Sequence, residues 1–486
     1  MYNIEKLRDV FPDTTVYKDQ NVMATFRSAA VPSFLRDWIL KRKADADGKI
    51  HDTEELGKYI ADIIPRREQK LALQDSARQG ETKKFLTRIS IAFNVNKGHI
   101  SFEMPELGFT HAETLIENYV WERIKDEVIA TAGGWGLVKL GYCSPEDSFD
   151  KKGRITLLEF KNFCPYEVNL DAYREARKNF TITEWTDILL GAIDYNPDGY
   201  SDWTEKHTLL TRLLPFIEPR VNLVELAPKG TGKSYLFGSV GKYGWLASGG
   251  TLSRAKMFYD MSAKQAGLVA SSDFVAMDEI QSINFGGDPQ EMQGALKTYM
   301  ESGEATVAKS RIIGKAGIIL LGNIPRDEMD ISQNMFRTLP QIFQESALLD
   351  RFHGFIEGKN IPRMKEELKI KNWALNSEYF TEIMHLLREQ SECMCYRGVV
   401  EELVEYPQSI DTRDKEAVLR LCTAYLKLFF PHWTRAEFIN SGEFKQYCLR
   451  PAFQMRRIIR YQLSILDAKE YAGKPFAEIT LKQREE

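Results

Sequence analysis

Nowhere does this chain run to the roughly 18 consecutive apolar residues that a membrane-spanning helix needs, and its opening MYNIEKLRDVF lacks an apolar signal region. A cytoplasmic protein with no membrane partner is therefore expected. Cysteine is scarce: six in 486 residues, with no paired C-x-x-C spacing, which excludes a disulfide framework and leaves no zinc-ribbon pattern. The Cys393-x-Cys395 pair has no second pair or His pair nearby, so it reads as two thiols on a helical stretch. Surplus charge is missing too. A net charge of -4 excludes a globally basic nucleic-acid binder, although not a local basic patch. There is no internal repeat and no low-complexity tract. What remains, 43% hydrophobic and 28% charged residues, is the composition of an ordinary globular chain long enough for about three domains.

Periodicity divides the chain into four stretches. Residues 1–80 read as helical, with VPSFLRDWILKRK and TEELGKYIADII carrying apolar residues at three-to-four spacing and Asp52 placed to cap the second. Residues 81–195 are β-rich: KFLTRISIAFNV, HISFEMPEL, GWGLVKLGYC and RITLLEFKNF predict strands of a small barrel or sandwich, interrupted by one helix in HAETLIENYVWERIKDEVIATA. The turn cluster Tyr195-Asn196-Pro197-Asp198-Gly199 predicts a boundary. Over 196–358 apolar strands alternate with helices, as in a parallel α/β sheet. Residues 359–486 then read as a helical lid.

The chemistry concentrates in the third stretch. VNLVELAPKGTGKSYLF (221–237) is an apolar strand, a Gly-rich turn and a helix start, the arrangement that cradles phosphate: backbone N–H groups point at the oxygens, Lys233 supplies a point charge, and the Ser234 hydroxyl ligates Mg²⁺. The predicted nucleotide contacts are Ala227, Gly230, Thr231, Gly232, Lys233, Ser234 and Tyr235. Ala227 stands where the pattern has its first glycine. DFVAMDEI (273–280) ends an apolar strand in two acids, where ligands bind in open α/β sheets: Asp278 for Mg²⁺, Glu279 as the general base on the attacking water. KAGIILLGN ends in Asn323, placed to orient that water, the role called sensor 1 in AAA+ proteins. In ALLDRFHGFIEG, Arg351 is placed to reach the γ-phosphate of a neighbouring subunit, an effect worth about a thousand-fold in rate. A lid arginine closing the site in cis is expected at Arg450, with Arg456 as the alternative.

Between the acids and Asn323, MQGALKTYMESGEATVAKSRIIGKAG predicts a helix and a hairpin bearing Lys309, Arg311 and Lys315. Cations on a hairpin inside a ring's pore would follow a phosphate backbone without reading sequence. Phe258-Tyr259, in TLSRAKMFYD, would either grip a polypeptide or pack in the core, and packing is the expectation.

Together, ELAPKGTGKSYLF, DFVAMDEI, KTYMESGEATV, AGIILLGNI and LLDRFHGFIEG resemble the BrxL family of bacterial BREX phage-defence systems, described as Lon-related AAA+ proteins. The resemblance is most specific from 222 to 358. It implies an AAA+ P-loop ATPase core with a helical lid, preceded by an α+β N-terminal region with a β-rich small barrel. It further implies ATP and Mg²⁺ as cofactors, double-stranded DNA as partner, a homo-oligomeric ring of one hexamer or stacked hexamers, and other defence-system proteins as further partners. Its ATPase roles fall on Lys233, Ser234, Asp278, Glu279, Asn323 and Arg351. Longer members carry a Lon-protease-like domain. No apolar Ser-centred motif with a partnering lysine occurs here, so protease activity is not expected. Two rival functions stay open on the residues: a polypeptide-threading ATPase, and a scaffold that binds ATP without turning it over.

Overall fold

The computed structural model describes residues 3–482 apart from 82, 95–97, 132–133, 149–150, 262–264, 308–309, 475 and 477. It divides into two compact units: residues 1–18, 168–258 and 268–486 form one, and residues 19–167 with 259–267 form the other.

In the smaller unit, helix Thr53–Ile63 starts at Asp52, whose carboxylate accepts the N–H groups of Glu54 and Glu55 at 2.9 and 2.8 Å. The β-branched runs form five strands, ordered His99–Glu103, Lys84–Asn94, Gly134–Cys143, Arg154–Asn162, Thr114–Leu115. The two edge strands approach each other, because Ile116 N–H donates to the Ile100 carbonyl at 2.8 Å just beyond the short strand. Alternate residues point inward, so Phe102, Val138 and Leu157 are buried together with Val120 of helix Asn118–Thr131.

The larger unit is built on five parallel strands, β1 (Leu223–Ala227), β2 (Trp245–Ser248), β3 (Phe274–Asp278), β4 (Gly317–Asn323) and β5 (Gly354–Glu357), in the spatial order β5-β1-β4-β3-β2. Every residue of β1 and β3 is buried, which explains why, apart from Glu225 within β1 and Asp278 at the end of β3, they read as apolar runs and not as alternating ones. The last stretch is mostly helical, with Ser377–Glu389, Thr412–Phe429 and Arg450–Leu466 the longest elements, but it is not helical throughout: it also contains the short strands Trp373–Leu375, Val404–Glu405 and Thr480–Leu481.

Two boundaries differ from the sequence reading. Residues 1–18 belong with the α/β sheet, because strand Thr15–Tyr17 pairs antiparallel with Trp373–Leu375. The helices Leu170–Lys178 and Ile182–Ala192 belong there as well, so the turn at residues 195–199 lies inside a unit and not between two. Asn-Pro-Asp-Gly dictates a turn, but a turn need not be a linker.

β5 is fastened to β1 by His353, whose Nδ1 accepts the Asn222 N–H at 2.9 Å and must therefore be unprotonated. Burial drives this imidazole well below its ordinary value, and Arg420 adds to the effect. Burial likewise lowers His207 and His432, each to about 4. All three are neutral in the fold, whereas the unfolded chain takes up their protons below about pH 6.5. Their contribution to stability is complete above that pH and lost as pH falls toward 4. Buried Glu378, raised to about 8 by burial, and His385, raised by Asp273, act in the opposite direction, so the histidine share is read by difference: the fall in Tm from pH 6.5 to 5 should be smaller in His432→Gln than in the wild type, and an equal fall in both contradicts this account.

Candidate nucleotide site

β1 delivers the chain into a tight loop in which Gly230 and Gly232 take φ values of +82° and +80°, conformations that a side chain disfavours. Helix Lys233–Tyr235 follows and continues as a wider turn through Leu236–Val240. Ala227 needs no such freedom, because it is the last residue of β1 and has no positive φ. Its methyl is accommodated by a different glycine: a Cβ on Gly358 would stand 2.1 Å from the Ala227 Cβ.

Three neighbouring strands bring their C-terminal ends to this loop. Asn323, at the end of β4, lies beside Ala227 in the register, and Lys233 Nζ donates to its Oδ1 at 3.0 Å. Ser234 Oγ donates to the Asp278 carboxylate at the end of β3. Glu279 follows with φ 47° and ψ 50°, an uncommon left-handed conformation for a glutamate; its N–H donates to Asp278 Oδ1 at 2.9 Å and its side chain is exposed. The residues read from three separate motifs thus meet at one point. A hydroxyl beside a carboxylate, both oxygen donors, suits Mg²⁺ held jointly with substrate phosphates and waters.

Burial pushes the Lys233 ammonium below its ordinary value; Arg212 adds to this, while Glu225 and Asp278 oppose it. An incoming polyphosphate would reverse that cost, since an ammonium in a half-buried cleft gains most from a multiply charged anion.

The loop is held from beneath by residues that no motif contains. Arg212, fully buried, donates from Nε and Nη2 to both oxygens of the equally buried Glu225 at 2.9 and 2.6 Å, and from Nη1 to the Thr231 carbonyl at 2.9 Å. Burial works against this guanidinium, but Glu225, Tyr195 and Tyr200 together hold the group above its ordinary value. Tyr195 stands under the second glycine, where a Cβ on Gly232 would come within 2.6 Å of the phenol oxygen. Tyr235 donates to Asp194 at 2.5 Å. Glu225 carried a usable signal: a lone carboxylate inside the apolar strand VNLVELA must find a partner if buried. Arg212 and Tyr195 carried none.

Other candidate residues lie elsewhere in the larger unit. Arg351 precedes the N-terminal end of β5, whereas the loop leaves the C-terminal end of β1 alongside. The four steps along the five residues of β1, at about 3.3 Å each, put about 13 Å between the two ends. The Arg351 side chain is 15% exposed, and its Nε is ion-paired with Glu301 at 3.0 Å, a carboxylate that Arg413 shares at 3.2 Å. Arg456 is fully buried and bonded to Asp350, Asp414 and the Phe352 carbonyl, which leaves Arg450 as the exposed one of the two candidates. Arg450 is exposed at the rim of a cavity of about 460 Å³ lined by Trp203, His207, Asn360 and Tyr425; no described contact joins it to Lys233 or Asp278.

Strands Glu304–Val307 and Ser310–Ile313 form the expected hairpin. Lys309 lies outside the described residues. Arg311 is 68% exposed and pairs across the hairpin with Glu304, and Lys315, 61% exposed, pairs with Glu389. Phe258 is fully buried, edge-on to Tyr299 at 5.8 Å, in agreement with the packing role, whereas Tyr259 is only half-buried.

Comparison with known proteins agrees with this geometry. Residues 155–477 match the family model described as "Lon-like protease BrxL-like, ATPase domain", and residues 9–142 match "BREX system Lon protease-like protein BrxL N-terminal". The chain is 28% identical over 466 residues to the Lon-like protease BrxL of Escherichia coli O9:H4 (strain HS), covering 94% of this chain and 64% of that protein. It is 26% identical over 483 residues to the Lon-like protease BrxL of Bacillus cereus (strain H3081.97), covering 98% and 68%. The chain thus spans about two thirds of the length of these curated relatives.

Proposed function

The chain belongs to the BrxL family, and from that premise we propose that it is an AAA+-type P-loop ATPase that assembles as a homo-oligomeric ring on double-stranded DNA in BREX defence against phage. The observation that carries the reading is the meeting of Lys233, Ser234, Asp278 and Asn323 at the ends of three adjacent strands. ATP would lie with its β- and γ-phosphates over the loop and Lys233, and Mg²⁺ would be held by Ser234 and Asp278. Glu279 takes the proton of the attacking water while Asn323 orients it. Arg351 lies at the far end of the sheet from its own Lys233, so it can serve only a nucleotide on another copy, which is the argument for a ring, of one hexamer or stacked hexamers. Arg450, at the start of helix Arg450–Leu466, is the lid residue that closes on the nucleotide in cis.

DNA binding falls to the hairpin. Exposed ion pairs contribute less than about 1 kcal/mol, so Arg311 and Lys315 can exchange Glu304 and Glu389 for phosphates at little cost. The test is ATP turnover with and without duplex DNA: stimulation is expected in the wild type and is lost in Lys309→Ala/Arg311→Ala. Absence of DNA binding at low salt would sink the DNA reading while leaving the ATPase reading standing. The polypeptide-threading alternative would rest on the half-buried Tyr259, because Phe258 is buried and offers no grip.

A further inference from the structure

The phosphate loop has an outer wall that no nucleotide motif includes. β5 runs into the turn Gly358–Asn360 and on through Ile361, Pro362, Arg363 and Met364. This segment is fixed to the loop at both ends: Gly358 lies against Ala227, and Met364 N–H donates to the Gly230 carbonyl at 2.8 Å. It is also tied to the chain that follows Asn323, since Arg326 Nη2 donates to the Lys359 carbonyl at 3.2 Å. Arg363 sits directly over the loop. Its Cγ and Nε both lie 3.2 Å from the point where a Cβ on Gly230 would stand.

The guanidinium is exposed, and no carboxylate among the described residues pairs with it. The acids nearest in sequence are engaged elsewhere: Glu357 with Lys359 at 3.1 Å, Glu367 with Lys365 at 3.6 Å, and Glu366 with Lys369 at 2.5 Å. An arginine whose stem is packed on the glycine backbone of a phosphate loop has lost much of its freedom, while its planar fork of donors is still unspent. That is the condition under which a phosphate gains most from it.

Resting on the reading of this loop as the ATP site, we propose that Arg363 binds the polyphosphate of the nucleotide in cis, as a second cation beside Lys233. Its fork donates two N–H groups to phosphate oxygens from the side of the loop opposite β3 and β4. The same contact couples the nucleotide to the segment that leads from β5 into the lid.

The test is equilibrium binding of fluorescent ATP, ADP and AMP analogues to the full chain. Arg363→Gln keeps the stem and removes the charge, and should weaken ATP and ADP about tenfold while changing AMP much less. Arg363→Lys should recover part of the loss, the salt dependence of ATP binding should become shallower in Arg363→Gln, and Tm without nucleotide should be unchanged. Wild-type affinity for ATP in Arg363→Gln, or an equal loss for ATP and AMP, would overturn the proposal. If ATP binding is abolished by Lys233→Ala but untouched by Arg363→Gln, this inference alone fails. A wild type with no affinity for ATP removes the site reading and this inference together.

Discussion

Glu279→Gln should lower ATP turnover by about 10²–10⁴-fold and leave ATP affinity within about threefold of the wild type. The substitution keeps size and hydrogen-bonding capacity and removes only the ability to take a proton. Glu279 is suited to that task by its backbone. With φ 47° and ψ 50° it departs from the strand direction at the end of β3, so that Asp278 turns to Ser234 while the glutamate is presented to solvent. A non-glycine residue in that region costs about 1–3 kcal/mol, a strain found where geometry serves chemistry. Retained binding with lost turnover identifies a base. Unchanged turnover would favour a nucleotide-gated scaffold, in which nothing is hydrolysed.

Arg351→Ala should reduce turnover about a thousand-fold, and the loss should be rescued in part by mixing with a Lys233→Ala variant. Neither variant alone has a complete site. In mixed assemblies, an intact Lys233 on one subunit meets an intact Arg351 on its neighbour, and only a shared site makes two inactive proteins active together. Lys233 follows the C-terminal end of β1 and Arg351 precedes the N-terminal end of β5, ends of the sheet that lie about 13 Å apart, which is the reason the proposal assigns the two residues to different nucleotides. Within the single chain Arg351 is held by Glu301, which also holds Arg413, so the proposed contact requires an exchange of this carboxylate for phosphate. Turnover by Arg351→Ala at the wild-type rate, at concentrations where the wild type is seen to assemble, would remove the shared-site account.

Much of this was legible in the sequence because the relevant signals are local. Gly-Thr-Gly-Lys-Ser encodes its own backbone, and Asp278-Glu279 closes an apolar run that can only be a buried strand. The strands Gly134–Cys143 and Arg154–Asn162 follow the runs GWGLVKLGYC and RITLLEFKNF almost residue for residue. What escaped is non-local. The partner of strand Thr15–Tyr17 lies some 360 residues away, at Trp373–Leu375, and nothing in TVY names it. Tyr195 was read with its turn as a boundary because turn residues report chain reversal and not what the reversal packs against; it packs under Gly232. Ala227 looked like a flaw in the phosphate motif, and only the fold shows that Gly358 supplies the missing space. Arg456 could not be told from Arg450 by sequence, since both stand on one basic helix. Burial separates them: Arg456 is the hub of an ion network, and Arg450 is free to meet a ligand.

The central claim is that Lys233, Ser234, Asp278 and Asn323 surround the terminal phosphates of a nucleotide. It is tested most directly by titrating a non-hydrolysable ATP analogue into the wild type and Lys233→Ala, each with Mg²⁺ and with a chelator. Saturable, Mg²⁺-dependent binding that disappears in Lys233→Ala, with Tm of the nucleotide-free variant preserved, is the predicted result. Equal binding by both proteins, or binding indifferent to Mg²⁺, would contradict it.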